Sequence, residues 1–181
     1  MGNNSGCAKV VLVVFIVVML LNLVVFVAPG WLIKSTENPT SSETTMIGLW
    51  LVCTTKDFHE SYNLESVSEC VSSIGTMSYR VEWWETVQVF IFLGVVLVFM
   101  SLLIFCVYLC MDNEKRSDKI KLGIAISCFT SGILWFIGLV VLAAKFREHD
   151  VLRESTLSYS FGLAVMTVLV NFALGGITFA A

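Results

Sequence analysis

Residues 48–53 read Gly48-Leu49-Trp50-Leu51-Val52-Cys53, and this stretch, with Trp31 before it and Cys70 after it, decides the fold. It lies in a polar segment between two long apolar runs. The chain of 181 residues is 57% hydrophobic and only 14% charged, whereas soluble domains carry about a quarter charged residues. The composition therefore predicts a membrane protein, and the stretch predicts a small polar region carried outside the membrane.

Four runs carry no charge over the roughly 20 helical residues that cross a hydrocarbon core. They are continuously apolar instead of alternating, which favours helices over a closed barrel. The first run is longer than the apolar part of a signal peptide, about 7–15 residues, so we expect it to be retained. We predict one domain, 1–181, with transmembrane helices at 10–28, 87–111, 122–144 and 159–181, joined by segments 29–86, 112–121 and 145–158.

The basic residues predict the orientation of these helices. They are densest near the amino terminus and in the short segment 112–121, and the denser side is normally cytoplasmic. The residues concerned are Lys9, Lys115, Arg116, Lys119 and Lys121. We therefore expect both termini in the cytoplasm, segments 29–86 and 145–158 outside the cell, and a multi-pass protein of the plasma membrane.

The order of a few residues around the opening stretch resembles the signature of the claudin family. The matching residues are Trp31, Gly48, Leu49, Trp50, Cys53 and Cys70. The resemblance implies a claudin-like tetraspan, an all-α membrane four-helix bundle with a small extracellular antiparallel β-sheet. The stretch between the two cysteines is longer than vertebrate claudins have, and is similar to that of invertebrate claudins and of some calcium-channel gamma subunits.

Cys53 and Cys70 fall on the predicted outer side, where disulfides form. We expect one disulfide between them, with two free thiols as the alternative. In the loop-entropy model, closing a loop of about 18 residues adds about 3 kcal/mol. Residues 46–54 and 66–71 have strand-like composition, so the disulfide would join two strands. Of Leu49 and Trp50, we expect the tryptophan to seat the sheet on the helices.

Cys106 and Cys110 lie one helical turn apart near the predicted cytoplasmic end of the second helix. A metal site would need further ligands that the sequence does not place nearby. Buried thiols and palmitoylation are the two interpretations that the sequence leaves open.

Sequence patterns typical of enzymes are absent. The chain has two histidines, His59 and His149, in no metal-binding spacing, and no phosphate-binding or nucleophile motif. No charge lies within the apolar runs to mark an ion or proton path. We therefore expect neither catalysis nor a cofactor, and the acidic balance argues against binding nucleic acid.

The claudin resemblance implies a protein of cell–cell junctions. Such a protein polymerises with itself or with related claudins, side by side in one membrane and across to the next, and forms a paracellular barrier or pore. Acids that would line such a path and raise the local cation concentration are Asp57, Glu60, Glu65 and Glu69. A solvated acidic surface is the alternative for each of them. In the second outer segment, the apolar residues implied to contact the opposing cell are Phe146, Val151 and Leu152.

Two other functions remain open at this point. The same signature and the long intercysteine stretch also resemble the gamma-subunit branch, which implies an auxiliary subunit that modulates an ion channel or receptor. Residues 84–88 leave room for a third interpretation, a myelin-type membrane organiser.

Overall fold

The computed structural model describes residues 4–38, 41–60, 63–73, 82–111, 117–148 and 152–180. Within these residues, four helices are long and apolar enough to cross a membrane. They are α1 (Asn4–Val27), α2 (Glu82–Cys110), α3 (Asp118–Lys145) and α4 (Tyr159–Ala180). Large apolar side chains remain exposed on each of them, for example Val107 at 62% and Phe179 at 69%. Lipid suits such a surface better than water does.

Three helices, α1, α2 and α3, begin before the predicted apolar runs, because polar residues continue their amino-terminal ends. Ser117 caps α3 by accepting a hydrogen bond at its hydroxyl from the backbone N–H of Lys119, at 3.3 Å. Asp118 lies in the first turn, where the helix dipole favours a negative charge. One face of α3 is buried against its neighbours at steps of three or four residues. Its members include Ile124, Cys128, Ser131, Trp135 and Leu142.

A buried polar network connects all four helices at mid-bundle. The amide Nδ2 of Asn22 in α1 donates to Oδ1 of Asn171 in α4 at 3.2 Å, and Nδ2 of Asn171 donates back at 3.3 Å. Asn171 also reaches the Ser131 hydroxyl of α3 at 3.5 Å, and that hydroxyl donates to the Gly94 carbonyl of α2 at 2.8 Å. Because these amides satisfy one another in an apolar setting, the network fixes how the helices face each other.

The described sheet has five antiparallel strands in the order β4-β3-β2-β1-β5. Their bounds are β1 (Leu32–Asn38), β2 (Ser41–Ile47), β3 (Leu51–Glu60), β4 (Asn63–Ser72) and β5 (Thr156–Leu157). The sequence predicted two strands; the structure adds the β1–β2 hairpin, and β5 from the second connecting segment pairs with β1. Four helices long and apolar enough to span a membrane, with a small antiparallel sheet, are therefore confirmed.

The sheet meets the bundle along one apolar row. Leu32, Ile47 and Val52 are aligned across β1, β2 and β3 and are at most 8% exposed. Two residues further along the strands, the row on the same face is polar, with Lys34 opposite Thr45. An isolated hairpin is marginally stable in water, so burial of this row on the helices stabilises the whole sheet.

The asparagine pair yields a prediction about bundle stability. We expect Asn171→Leu to lower the free energy of unfolding by about 1–2 kcal/mol, because it leaves the Asn22 side-chain oxygen buried without its donor. Asn22→Leu combined with Asn171→Leu should lower it by less than the sum of the single changes, since no unpaired amide remains. Unfolding of the three variants in detergent would measure this, and additive losses would contradict the coupling.

Candidate interaction surface

Trp31 forms the centre of the joint between the sheet and the bundle. It is fully buried, and its indole N–H donates to the Val25 carbonyl of α1 at 3.2 Å. Its ring stacks on Trp135 of α3 with centroids 6.4 Å apart. Its backbone N–H donates to the Ile47 carbonyl, and its carbonyl accepts from Ser158. A single residue thus ties two helices to both segments that form the sheet.

Gly48 lies where the sheet approaches the end of α1. A Cβ atom at this position would stand 2.6 Å from the Pro29 Cα and 2.7 Å from the Ala28 carbonyl oxygen. Both are backbone atoms that cannot swing aside, so the approach requires glycine. The Gly48 N–H closes the turn by donating to the Leu51 carbonyl at 2.8 Å.

Leu49, and not Trp50, is the residue that seats the sheet. Leu49 is fully buried, and its carbonyl accepts hydrogen bonds from the Ser73 hydroxyl and from the side-chain amide of Gln88 in α2. Trp50 is only half-buried, with its ring 5.1 Å from that of Phe26. The prediction that Trp50 would seat the sheet assumed a regular strand. Residues 49 and 50 instead form a bend before β3 begins at Leu51.

The predicted disulfide is confirmed. Cys53 in β3 and Cys70 in β4 pair directly across the strands and are bonded, with their Cα atoms 4.1 Å apart. The bond lies in the second row from the bundle, so it closes the β3–β4 hairpin near its base.

The four acids suggested as pore-lining do not form one described surface. Asp57 pairs with Ser66 and Glu69 pairs with Thr54, and these alternating positions place the two carboxylates on opposite faces of the sheet. Asp57 is half-buried and Glu69 is exposed. The side chains of the other two, Glu60 and Glu65, lie outside the described residues.

Two ion pairs join segments of the sheet away from β4. One lies at the opposite edge of the sheet, and the other lies in its middle. Lys34 of β1 contacts Glu154 before β5 at 2.8 Å, and Lys56 of β3 contacts Glu43 of β2 at 3.6 Å. The hydrogen bond and charge of Lys34 lower the pKa of the Glu154 carboxyl. The first pair is therefore complete at neutral pH and is lost only as the pH falls through that lowered pKa.

Two of the three apolar residues predicted as contacts in the second connecting segment are buried. Phe146 ends α3 and is 3% exposed, and Leu152 is 2% exposed. Both lie in the core, so the interpretation of them as contacts to an opposing cell is not supported; Val151 lies outside the described residues. The Arg147 guanidinium lies over the Phe146 ring, 5.5 Å from its centroid.

The described residues offer little chemistry. Among them, no three His, Cys, Asp or Glu side chains cluster closely enough to hold a metal ion. An apolar groove of about 340 Å³ between α3 and α4 is lined by Phe136, Phe161, Phe172 and further hydrophobic side chains, with no polar group. This groove suits contacts with apolar groups, such as lipid chains or hydrophobic side chains.

Some residues of the joint were missed by the sequence analysis. Trp135 and Gln88 hold the sheet to α3 and α2, and Lys34 holds β5. The available signals were a lone tryptophan in the middle of an apolar helix and a lone amide at the start of another, since both carry N–H groups that seek partners.

A four-helix membrane bundle with a disulfide-closed sheet locked to one end defines a tetraspan membrane protein. The chain matches the lipoma HMGIC fusion partner-like protein family over residues 8–181 and belongs to that family. A search of curated proteins gave no match. The assignment to claudins is therefore wrong. Three of the residues that suggested it, Trp31, Gly48 and Leu49, lie in the joint of sheet and bundle.

Gly48 yields a prediction about the joint. We expect Gly48→Ala to lower the free energy of unfolding by about 1–3 kcal/mol, because its new methyl group meets backbone atoms. Gly162→Ala is the matched control: its Cβ would meet no atom within 4 Å. Thermal unfolding of both variants would measure the difference, and equal stability would contradict the close approach.

The cysteines of α2 yield a prediction about acylation. Cys110 is exposed and Cys106 is half-buried, whereas Cys128 of α3 is buried. We expect palmitate on Cys110, so acyl-exchange labelling in cells should disappear in Cys110→Ala and persist in Cys128→Ala. Unchanged labelling of the Cys110→Ala chain would contradict this.

Proposed function

We propose that this chain is an auxiliary subunit that binds an ion channel or receptor in the plasma membrane and modulates it. The observation that carries the proposal is the joint. Trp31, Gly48 and Leu49 lock the sheet to the helices through buried contacts, so a partner touching both would engage one rigid body. Such a body transmits a displacement of the sheet to the membrane helices, because packed interfaces deform little.

The described helices give no support to an ion path through this chain itself. In the described spans, charged side chains lie only near the helix ends, as with Glu85, Lys121 and Lys145. The buried asparagines of mid-bundle bond to each other. We therefore favour modulation of an ion path that belongs to another protein. The proposal also places both termini in the cytoplasm.

A paracellular barrier has less support. It rested on the claudin assignment, which the family match overturns. It also relied on Phe146 and Leu152 as contacts, and both are buried. Assembly into strands between cells is therefore the outcome that the test below has to exclude.

The test combines purification with recording. Tagged full-length chain is purified from native membranes in mild detergent, and the channel or receptor subunits recovered with it are co-expressed with and without the chain. We expect the chain to shift the opening equilibrium or the activating concentration about fivefold or more, the usual range of coupling between sites.

Variants of the joint provide matched controls. At equal surface amount, Gly162→Ala should modulate the partner like the native chain, whereas Gly48→Ala should modulate it less. If Gly48→Ala fails to reach the cell surface, Trp31→Phe replaces it as the test of the joint. This change removes the indole N–H and keeps an aromatic ring. Absence of any recovered channel or receptor, together with intramembrane strands at contacts between cells expressing the chain alone, would contradict the proposal.

A further inference from the structure

The outer edge of β4 is unpaired. β4 ends the sheet order, and no other strand in the described ranges lies along its far side. Residues 66–72 are all exposed, including Val67 at 52% and Val71 at 43%. An edge of this length is normally protected by charged side chains, proline or a bulge; β4 reads NLESVSECVS, with two acidic residues but neither lysine nor proline.

The cross-strand geometry shows which backbone groups point outward. The Cα atoms of Cys53 and Cys70 are 4.1 Å apart, the short spacing typical of a pair that exchanges no backbone hydrogen bonds. The N–H and C=O of Cys70 therefore point away from β3, and those of Ser68 and Ser66 do so at alternate positions. No hydrogen bond in the described part of the chain occupies these groups.

The side chains along this edge specify what could pair with it. On one face, Val67, Glu69 and Val71 follow one another, and Val71 ends the apolar row that begins with Leu32. In a cross-strand pair, valine favours an apolar residue directly opposite, and glutamate favours a basic one. Neither Lys nor Arg occurs in β4, whose other acid is Glu65. The complementary strand would therefore alternate apolar and basic residues on this face.

A second copy of the chain fits this edge poorly. The β4 strand of a second copy carries no Lys or Arg, so it offers Glu69 no basic partner across the edge. A chain of different sequence can supply one.

We propose that the β4 edge binds an extended extracellular segment of the partner protein, with alternating basic and apolar side chains, as an added strand. This inference rests on the proposed function and names the chemistry of its partner. Main-chain hydrogen bonds to Ser66, Ser68 and Cys70 would supply affinity, and Val67, Glu69 and Val71 would supply specificity.

The probe is a short capped peptide in which every second residue is threonine. The residues between the threonines are valine and lysine in turn. Its control is the same peptide with glutamate in place of lysine. Binding to the full-length chain in nanodiscs of neutral phospholipid is measured by fluorescence anisotropy. We expect the basic peptide to bind and the acidic peptide to bind at least about fivefold more weakly. Equal binding of the two peptides, or binding of neither, would overturn the inference.

Two variants separate the backbone from the charge. Ser68→Pro removes an outward N–H without removing a β3–β4 hydrogen bond, so the sheet should keep its melting temperature while peptide affinity falls about tenfold. Glu69→Lys should reverse the preference between the two peptides. Glu37→Lys makes the same charge change on β1 and should leave both affinities unchanged. Undiminished binding to Ser68→Pro would overturn the inference.

Co-purification distinguishes this inference from the proposed function. We expect Ser68→Pro and Glu69→Lys to recover less of the channel or receptor than Glu37→Lys does. If all three recover it equally, the edge is not the binding surface, although the proposed function stands. If the native chain instead forms a dimer that Ser68→Pro abolishes, a second copy occupies the edge and the inference is overturned.

Discussion

The close approach of Gly48 to the end of α1 is the contact on which the rest of the sheet depends. A few short strands joined by one disulfide expose too much backbone to be stable alone in water. Glycine lets the chain pass within van der Waals distance of Pro29 and Ala28, and this brings Leu49 into the core and Trp31 under the apolar row. The helices therefore supply the hydrophobic core that the sheet lacks.

The helices could be predicted from the sequence because the bilayer imposes a length that a soluble core does not. The disulfide followed from the same reasoning, since the predicted topology placed two cysteines together outside. Strand pairing is different: β5 joins β1 across more than a hundred residues of chain, and no local pattern in two residues reveals it. The choice between Leu49 and Trp50 failed for a related reason, because a bend interrupts the alternation that the choice assumed.

Family membership was harder to predict than architecture. The signature residues Trp31, Gly48 and Leu49 are buried in the joint, so they reflect how the sheet packs on the helices and do not identify a family. What distinguishes the chain is the long stretch between the cysteines, which the structure shows as the outer part of the β3–β4 hairpin. Exposed segments vary with the partner, whereas buried joints vary with the fold.

The joint and the free edge are parts of one physical path. Leu32, Ile47, Val52 and Val71 form a single row across four strands, buried at the bundle and open at β4. An apolar side chain placed beside Val71 would extend this row and remove its exposed end from water. The buried part of the row packs with Trp31, whose ring lies on Trp135 of α3. A strand bound at the edge would therefore act on the same contacts that orient the sheet. Selectivity at the edge and coupling to the membrane thus depend on the same strands.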